Sequence, residues 1–297
     1  MSPALTTAQL AAQITRIELH PDKAIDRLAT LDIDRGRVTV VAGAPGAGKS
    51  SLIHRLLAAA AQNGERVAAL LVDPSSSITG GAILGDRLRM LGAEFGERVF
   101  IRSLAAASGT ECIGITAPVI AWMLLNNGFD HVFIESVGIG QQELDVARRG
   151  DALVLVFGPD SGDWVQFIKS GVVELCDVIA VNKSDLGTAE LVSAIRQSVG
   201  LQSFRRSAVD VVAVSSVTGA GVDDLLTKIE AAQQMDAGTR RSRRSATVQD
   251  VLSRMALAAT STHLDAHFAR VPKDDLKARA AMVGAFIKAL PTIDACP

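Results

Sequence analysis

Residues Gly43 to Ser51 read GAPGAGKSS and fit the spacing GxxxxGK[ST]. They follow the apolar run VTVVA and precede SLIHRLLAAAAQ, the strand and helix context in which that spacing cradles phosphate. The stretch Gly43, Ala44, Pro45, Gly46, Ala47, Gly48, Lys49, Ser50 and Ser51 is therefore the expected phosphate loop. Its backbone N–H groups turn toward anionic oxygens, Lys49 adds positive charge at the β and γ positions, and the Ser50 hydroxyl is suited to Mg²⁺. A second constellation, VNKSDL, contains NKxD. Asp185 can accept hydrogen bonds from the N1–H and 2-amino group of guanine, donors that adenine lacks. Asn182 is expected at the base edge and Lys183 over its face. In VSSVTGAG, Ser215 and Ser216 are expected to bring a backbone N–H to the guanine carbonyl. Acids complete the set. Asp73 ends the run VAALLVD, Asp86 lies in GGAILGDRLRM and Glu135 ends HVFIE; with Ser50 they are candidate members of a Mg²⁺ shell. Gly138, three residues after Glu135, allows a backbone N–H to approach a γ-phosphate, and losing that contact would release the loop IGQQELD. Arg87 and Arg89 beside Asp86 suit either a phosphate or surface ion pairs.

These residues need a scaffold, and the chain supplies one. From Arg37 onward, short apolar runs (VTVVAG, VAALLVD, VFIRSL, HVFIES, ALVLVFG, DVIAVNK and VVAVSS) alternate with helix-length segments. That alternation predicts an α/β fold, a mostly parallel sheet flanked by helices. Residues 1–36 form an N-terminal helical extension, with helical spacing in Leu10, Ile14 and Ile17 and again in Ile25, Leu28 and Leu31, split at Pro21. Residues 37–236 form the nucleotide-binding domain. Residues 237–297 read as a linker, carrying the basic run Arg240–Arg244, followed by a C-terminal helical extension.

With 297 residues, 48% of them hydrophobic, the chain can bury one large core. A formal charge of −2 argues against nucleic acid as the main partner, since such binding needs excess Lys and Arg. The three cysteines form no CxxC pair, so neither a disulfide framework nor a zinc knuckle is expected, and a reduced cytoplasm fits. The longest apolar run, Ile113 to Leu125, is too short to span a bilayer and reads as a buried helix containing Pro118; no membrane association is expected. His263 and His267, spaced i, i+4 without a third ligand nearby, read as an ordinary helix face. Trp122 reads as core.

GAPGAGKSS, VDPSSSITGGAILGDRLRM, ESVGIGQQELD and GDWVQFIKSGVVELCDVIAVNKSDL, in this order and spacing, resemble the MeaB/ArgK family of P-loop GTPases. The resemblance covers roughly residues 37–225. It implies a P-loop GTPase fold and GTP hydrolysis to GDP and phosphate with Mg²⁺. It further implies a protein partner, an adenosylcobalamin-dependent acyl-CoA mutase such as methylmalonyl-CoA mutase, whose cofactor loading is gated and whose activity is protected. A homodimer joined through the C-terminal helices is also implied. Lys49, Glu135 and Gln141 are the candidates for the hydrolytic step. Gln141 orients water in this reading, though Gln141 and Gln142 equally suit a partner surface. Ser77 stands where the family usually has proline, and the loop AAASGTECIGI has Ser108 in place of an arginine and Gly114 in place of a double glycine. Two other functions use the same loop chemistry: a P-loop kinase acting on a protein or small acceptor, and a metal-insertion GTPase for a nickel enzyme. The latter tends to carry a His- or Cys-rich segment, and this chain has none.

Overall fold

The structure is a computed structural model that describes residues 5–20, 24, 27–73, 96–105, 116–136, 149–159, 175–200, 209–234 and 237–268. The chain divides into two compact units, Met1–Gln249 and Asp250–Pro297. In the first, seven strands form one sheet: β1 (Arg37–Gly43), β2 (Val67–Asp73), β3 (Val99–Ala105), β4 (His131–Glu135), β5 (Ala152–Phe157), β6 (Val178–Val181) and β7 (Asp210–Ala213). Their order is β3-β2-β4-β1-β5-β6-β7, and every pairing is parallel. All seven runs read from the sequence become strands. The central ones are buried along their whole length, which is why they lack the polar alternation of a one-faced sheet.

Helices cover both faces. Helix α1 (Thr7–Leu19) starts at a reciprocal cap, in which Gln9 N donates to Thr6 Oγ1 and Thr6 N donates to Gln9 Oε1. It buries Leu10, Ile14 and Ile17, the positions the spacing selects. Residues 24, 27 and 28 are helical as well. Helix α2 (Lys49–Gln62) buries Leu52, Ile53, Leu56 and Leu57 in a core shared with Val41, Leu71, Phe133, Val154 and Val156 of the strands. Helix α3 (Ala117–Asn126) lies against β4 and β2, is buried from Ala117 through Leu125 and includes Trp122. It carries Pro118 in its first turn, where the missing N–H costs no helix bond. Helix α4 (Ala189–Gly200) packs on β7, and α5 (Val222–Ala232) adds Leu225, Leu226 and Ile229 to the α2 core. No helix among the described residues is long and apolar enough to cross a membrane.

Helix α6, Ala237–Phe268, corrects the linker reading of residues 240–244. The basic run lies inside a helix, and Arg244 is only 3% exposed. Its Nε donates to Asp151 Oδ1 at 2.8 Å and its Nη2 donates to Asp151 Oδ2, forming a bidentate pair with a carboxylate that is 1% exposed. The same guanidinium donates to the carbonyls of Ile33, Arg35 and Gly36, the approach to β1, while Asp151 Oδ2 also accepts from Val38 N at 2.8 Å. The start of α6 is thereby fastened beneath β1 and β5, at the sheet end opposite the phosphate loop. Arg241 behaves as the sequence suggests for a basic run, being well exposed and 3.5 Å from Asp34. In the second unit the described residues continue α6, where Arg254 Nε donates to Asp250 Oδ1 one turn away. The side chains of His263 and His267 lie outside the described residues.

A buried polar cluster joins β1, β4 and the end of α5. His131 Nε2 is 2.7 Å from Thr39 Oγ1, which accepts from Gln233 Nε2 at 2.8 Å. Gln233 Nε2 also lies 3.4 Å from His131 Nε2, so the ring nitrogen faces two groups able to donate to it. Its ring stacks on Phe133 at 4.1 Å. Burial, and secondarily the Arg37 guanidinium, push the His131 pKa well below its ordinary 6.5. Arg37 in turn pairs with Glu65 and Glu230. Because the folded pKa is depressed, the unfolded chain binds a proton below pH 6.5 that the folded chain refuses. Stability should therefore fall with acidification by up to about 1.4 kcal/mol per pH unit from this group, and its contribution should be flat above about pH 7.5. Urea midpoints between about pH 7.5 and about pH 5.5 test this; His131→Asn should remove that part of the slope whatever its baseline stability.

Candidate nucleotide site

The sheet places the reactive loops at one end. Val41 pairs with Glu135 and Gly43 with Val156, so β1 delivers its loop between the ends of β4 and β5. Ligands in parallel sheets bind at such a point, where the chain turns to opposite sides of one strand. After Gly43 the backbone turns through residues 44–48 and enters α2 at Lys49, which points free helix N–H groups at the loop. Gly48 has φ 87°, and a Cβ there would lie 2.4 Å from Asn182 Nδ2, so both conformation and space require glycine. Pro45, Gly46 and Ser51 are exposed, while Ala44 and Ala47 are buried.

Lys49 is 7% exposed, and its Nζ donates to the Gly43 carbonyl at 2.9 Å and the Ala44 carbonyl at 3.3 Å. Burial lowers its pKa below the ordinary lysine value, and the nearby Glu135 carboxylate works in the opposite direction. The loop thus folds around an ammonium held by neutral carbonyls, with one donor beyond those two bonds. Ser50 Oγ donates to Glu135 Oε1 at 2.7 Å. Glu135 is 9% exposed. A hydroxyl and a carboxylate, both hard oxygen donors, meet beside the phosphate loop. Asp73 ends β2, the next strand beyond β4, at the same end of the sheet; its side chain lies outside the described residues. Asp86, Arg87, Arg89, Gly138, Gln141 and Gln142 also lie outside them, as do Ser77, Ser108 and Gly114.

The loops expected to read the base follow β6 and β7. Asn182 is 1% exposed, and its amide joins two loops. Nδ2 donates to the carbonyls of Ala47 at 2.9 Å and Gly48 at 3.4 Å, and Oδ1 accepts from Ser216 N at 3.1 Å and Ser216 Oγ at 2.9 Å. The residue expected at the base edge thus acts here as a brace between the phosphate loop and the base loop. Lys183 has φ 62°, the sole positive value for a non-glycine among the described residues, and enters the 3-10 turn Ser184–Leu186. Asp185 is exposed in that turn, and its Oδ1 accepts from Ser215 Oγ at 2.5 Å. One carboxylate oxygen is fixed from behind, which orients an acceptor group of the kind guanine requires.

The backbone N–H groups of Ser215 and Ser216 have a different use from the one the sequence suggests. Ser215 N donates to the Ala220 carbonyl at 2.9 Å and Ser216 N to Asn182 Oδ1. Both serines shape the loop, and Ser215 alone of the two bonds Asp185. A further residue, Arg55 on α2, reaches this loop: Nε donates to the Ser216 carbonyl at 2.8 Å and Nη2 to the Val217 carbonyl at 2.5 Å. No local pattern marks Arg55, since its acceptors lie more than 160 positions away in the chain.

A phosphate loop, an adjacent strand ending in an acid, and an NKxD turn braced against that loop define a P-loop GTPase. The chain belongs to the family described as methylmalonyl-CoA mutase-associated GTPase MeaB, which matches residues 10–268. It is 37% identical over 247 residues to a probable GTPase of Mycobacterium tuberculosis, a match covering 78% of this chain and 72% of that one. It is 35% identical over 193 residues to the mouse mitochondrial methylmalonic aciduria type A homolog, covering 62% of this chain and 46% of the mouse protein. Among solved structures it is similar to a LAO/AO transport system kinase, with a TM-score of 0.62 and 21% identity over 96% of this chain and 89% of the other. At that identity the likeness establishes the fold alone.

Proposed function

We propose that the chain is a Mg²⁺-dependent GTPase that serves as chaperone to an adenosylcobalamin-dependent acyl-CoA mutase, methylmalonyl-CoA mutase or a relative. In this reading it gates cofactor loading and protects or reactivates the mutase. The observation that carries the reading is the family match over residues 10–268. The site geometry supports its nucleotide half. The α2 N-terminus and Lys49 bind the phosphates, and Asp185, aimed by Ser215, reads guanine. Ser50 and Glu135 would hold Mg²⁺, with Asp73 and Asp86 as further members of the shell. An ion held by these residues would supply positive charge against the charge that develops on the transferring phosphoryl group.

Gly138 senses the γ-phosphate and Gln141 orients water in the same proposal, so hydrolysis releases the segment between them. The protein acts in the cytoplasm as a homodimer joined through its C-terminal helices. The chain should copurify with a purified cobalamin-dependent mutase in the presence of a non-hydrolysable GTP analogue and Mg²⁺, and its slow GTPase rate should rise on adding that mutase. Neither binding nor a rate change with any mutase of the class would remove the chaperone half and leave a GTPase with another client.

A further inference from the structure

The hydrogen bonds around the base loop form a continuous relay from the phosphate-binding helix to the guanine-reading acid. Arg55 Nη2 donates to the Val217 carbonyl at 2.5 Å. A trans peptide directs its N–H away from its carbonyl, and the N–H of this same unit, on Thr218, donates to Ser215 Oγ at 3.1 Å. Ser215 Oγ donates onward to Asp185 Oδ1 at 2.5 Å. Arg55 Nε holds the preceding peptide through the Ser216 carbonyl at 2.8 Å, so the guanidinium fork fixes two successive peptide planes at once. Ser215 is fully buried, which leaves its hydroxyl little freedom beyond this relay.

We infer that Arg55 is a positioning residue for guanine selectivity, acting from α2 through the 217–218 peptide and Ser215 on the carboxylate of Asp185. The inference rests on the proposed role of Asp185 as the guanine reader. Its physical basis is preorganisation. Ser215 lies two residues from the tip of a surface turn, where the Val217 side chain is 72% exposed. A fork of charge-assisted hydrogen bonds anchored on a buried helix supplies rigidity there. The bond from Asp185 to the guanine 2-amino group depends on the carboxylate angle, so it is the contact most sensitive to losing that fork.

Arg55→Met keeps the aliphatic stem and removes the donors. GDP affinity, measured by calorimetry, should fall about tenfold. IDP lacks the 2-amino group and one of the two Asp185 bonds, so its affinity should fall about twofold, and the GDP-to-IDP preference should drop about fivefold. A merely structural loss would weaken both nucleotides alike. Arg55→Lys should fall between wild type and Arg55→Met, and Ser215→Ala should add little in the Arg55→Met background, because both cut one relay. Thermal unfolding checks that each variant is folded; if Arg55→Met is not, Arg55→Lys and Ser215→Ala carry the same comparison. Equal weakening of GDP and IDP, or no weakening, overturns the inference. Asp185→Asn separates it from the reading beneath it. No shift from GDP toward XDP removes Asp185 as the base reader and the relay with it, whereas a shift to XDP with an unchanged preference in Arg55→Met removes only the relay.

Discussion

Arg244→Met should destabilise the first compact unit by about 3–5 kcal/mol, seen as a lowered urea midpoint with little change in slope. The substitution leaves the Asp151 carboxylate, 1% exposed, without its bidentate partner and removes donors from the carbonyls of Ile33, Arg35 and Gly36. The cost comes from stranding a buried charge more than from losing an attraction, since taking both ions out of water offsets most of their Coulomb gain. Asp151→Asn in the same chain should therefore recover part of the loss, because an amide oxygen can still accept from Val38 N. Arg241→Ala, three residues earlier in the same basic run, serves as the control and should change stability little, its partner Asp34 being solvent-screened. Equal effects at the two arginines would show that burial of the Arg244–Asp151 pair does not set its strength.

Lys49→Ala should reduce GTP turnover at saturating nucleotide about 10²–10³-fold. The N–H groups of α2 remain in the variant, so some phosphate affinity survives, but the one full positive charge inside the loop is gone. Stability should change by less than about 1 kcal/mol, because the hydrogen bonds to Gly43 and Ala44 are lost while the desolvation of a buried ammonium is relieved. Single-turnover hydrolysis alongside urea unfolding checks both. Turnover within about threefold of wild type would assign phosphate neutralisation to the helix end and the metal site rather than to Lys49.

The scaffold was legible because buried parallel strands announce themselves as unbroken Val, Ile and Leu runs, and GAPGAGKSS needs no distant partner to be recognised. NKSD was legible for the same local reason. What escaped were pairings across long stretches of chain. Arg244 meets Asp151 from 93 positions away and Arg55 meets Ser216 from 161, and no periodicity registers such contacts. A run of five residues with four arginines looks solvated on composition, yet one member is core because the fold delivers a carboxylate to it. Asn182, expected at the base edge, is found bracing two loops, since a side chain with two donors and an acceptor offers several roles until neighbours are placed. Helix α3 begins at Ala117, four residues after the apolar run does, because hydropathy gives no start signal and Pro118 fits a first turn better than an interior.

The Asn182 brace makes the two halves of the nucleotide site one rigid receptor. Its amide ties Ala47 and Gly48 of the phosphate loop to Ser216 of the loop after β7, so the spacing of the two loops is set without any nucleotide. A nucleotide seated at one end of such a receptor would meet the other at a fixed, high effective concentration.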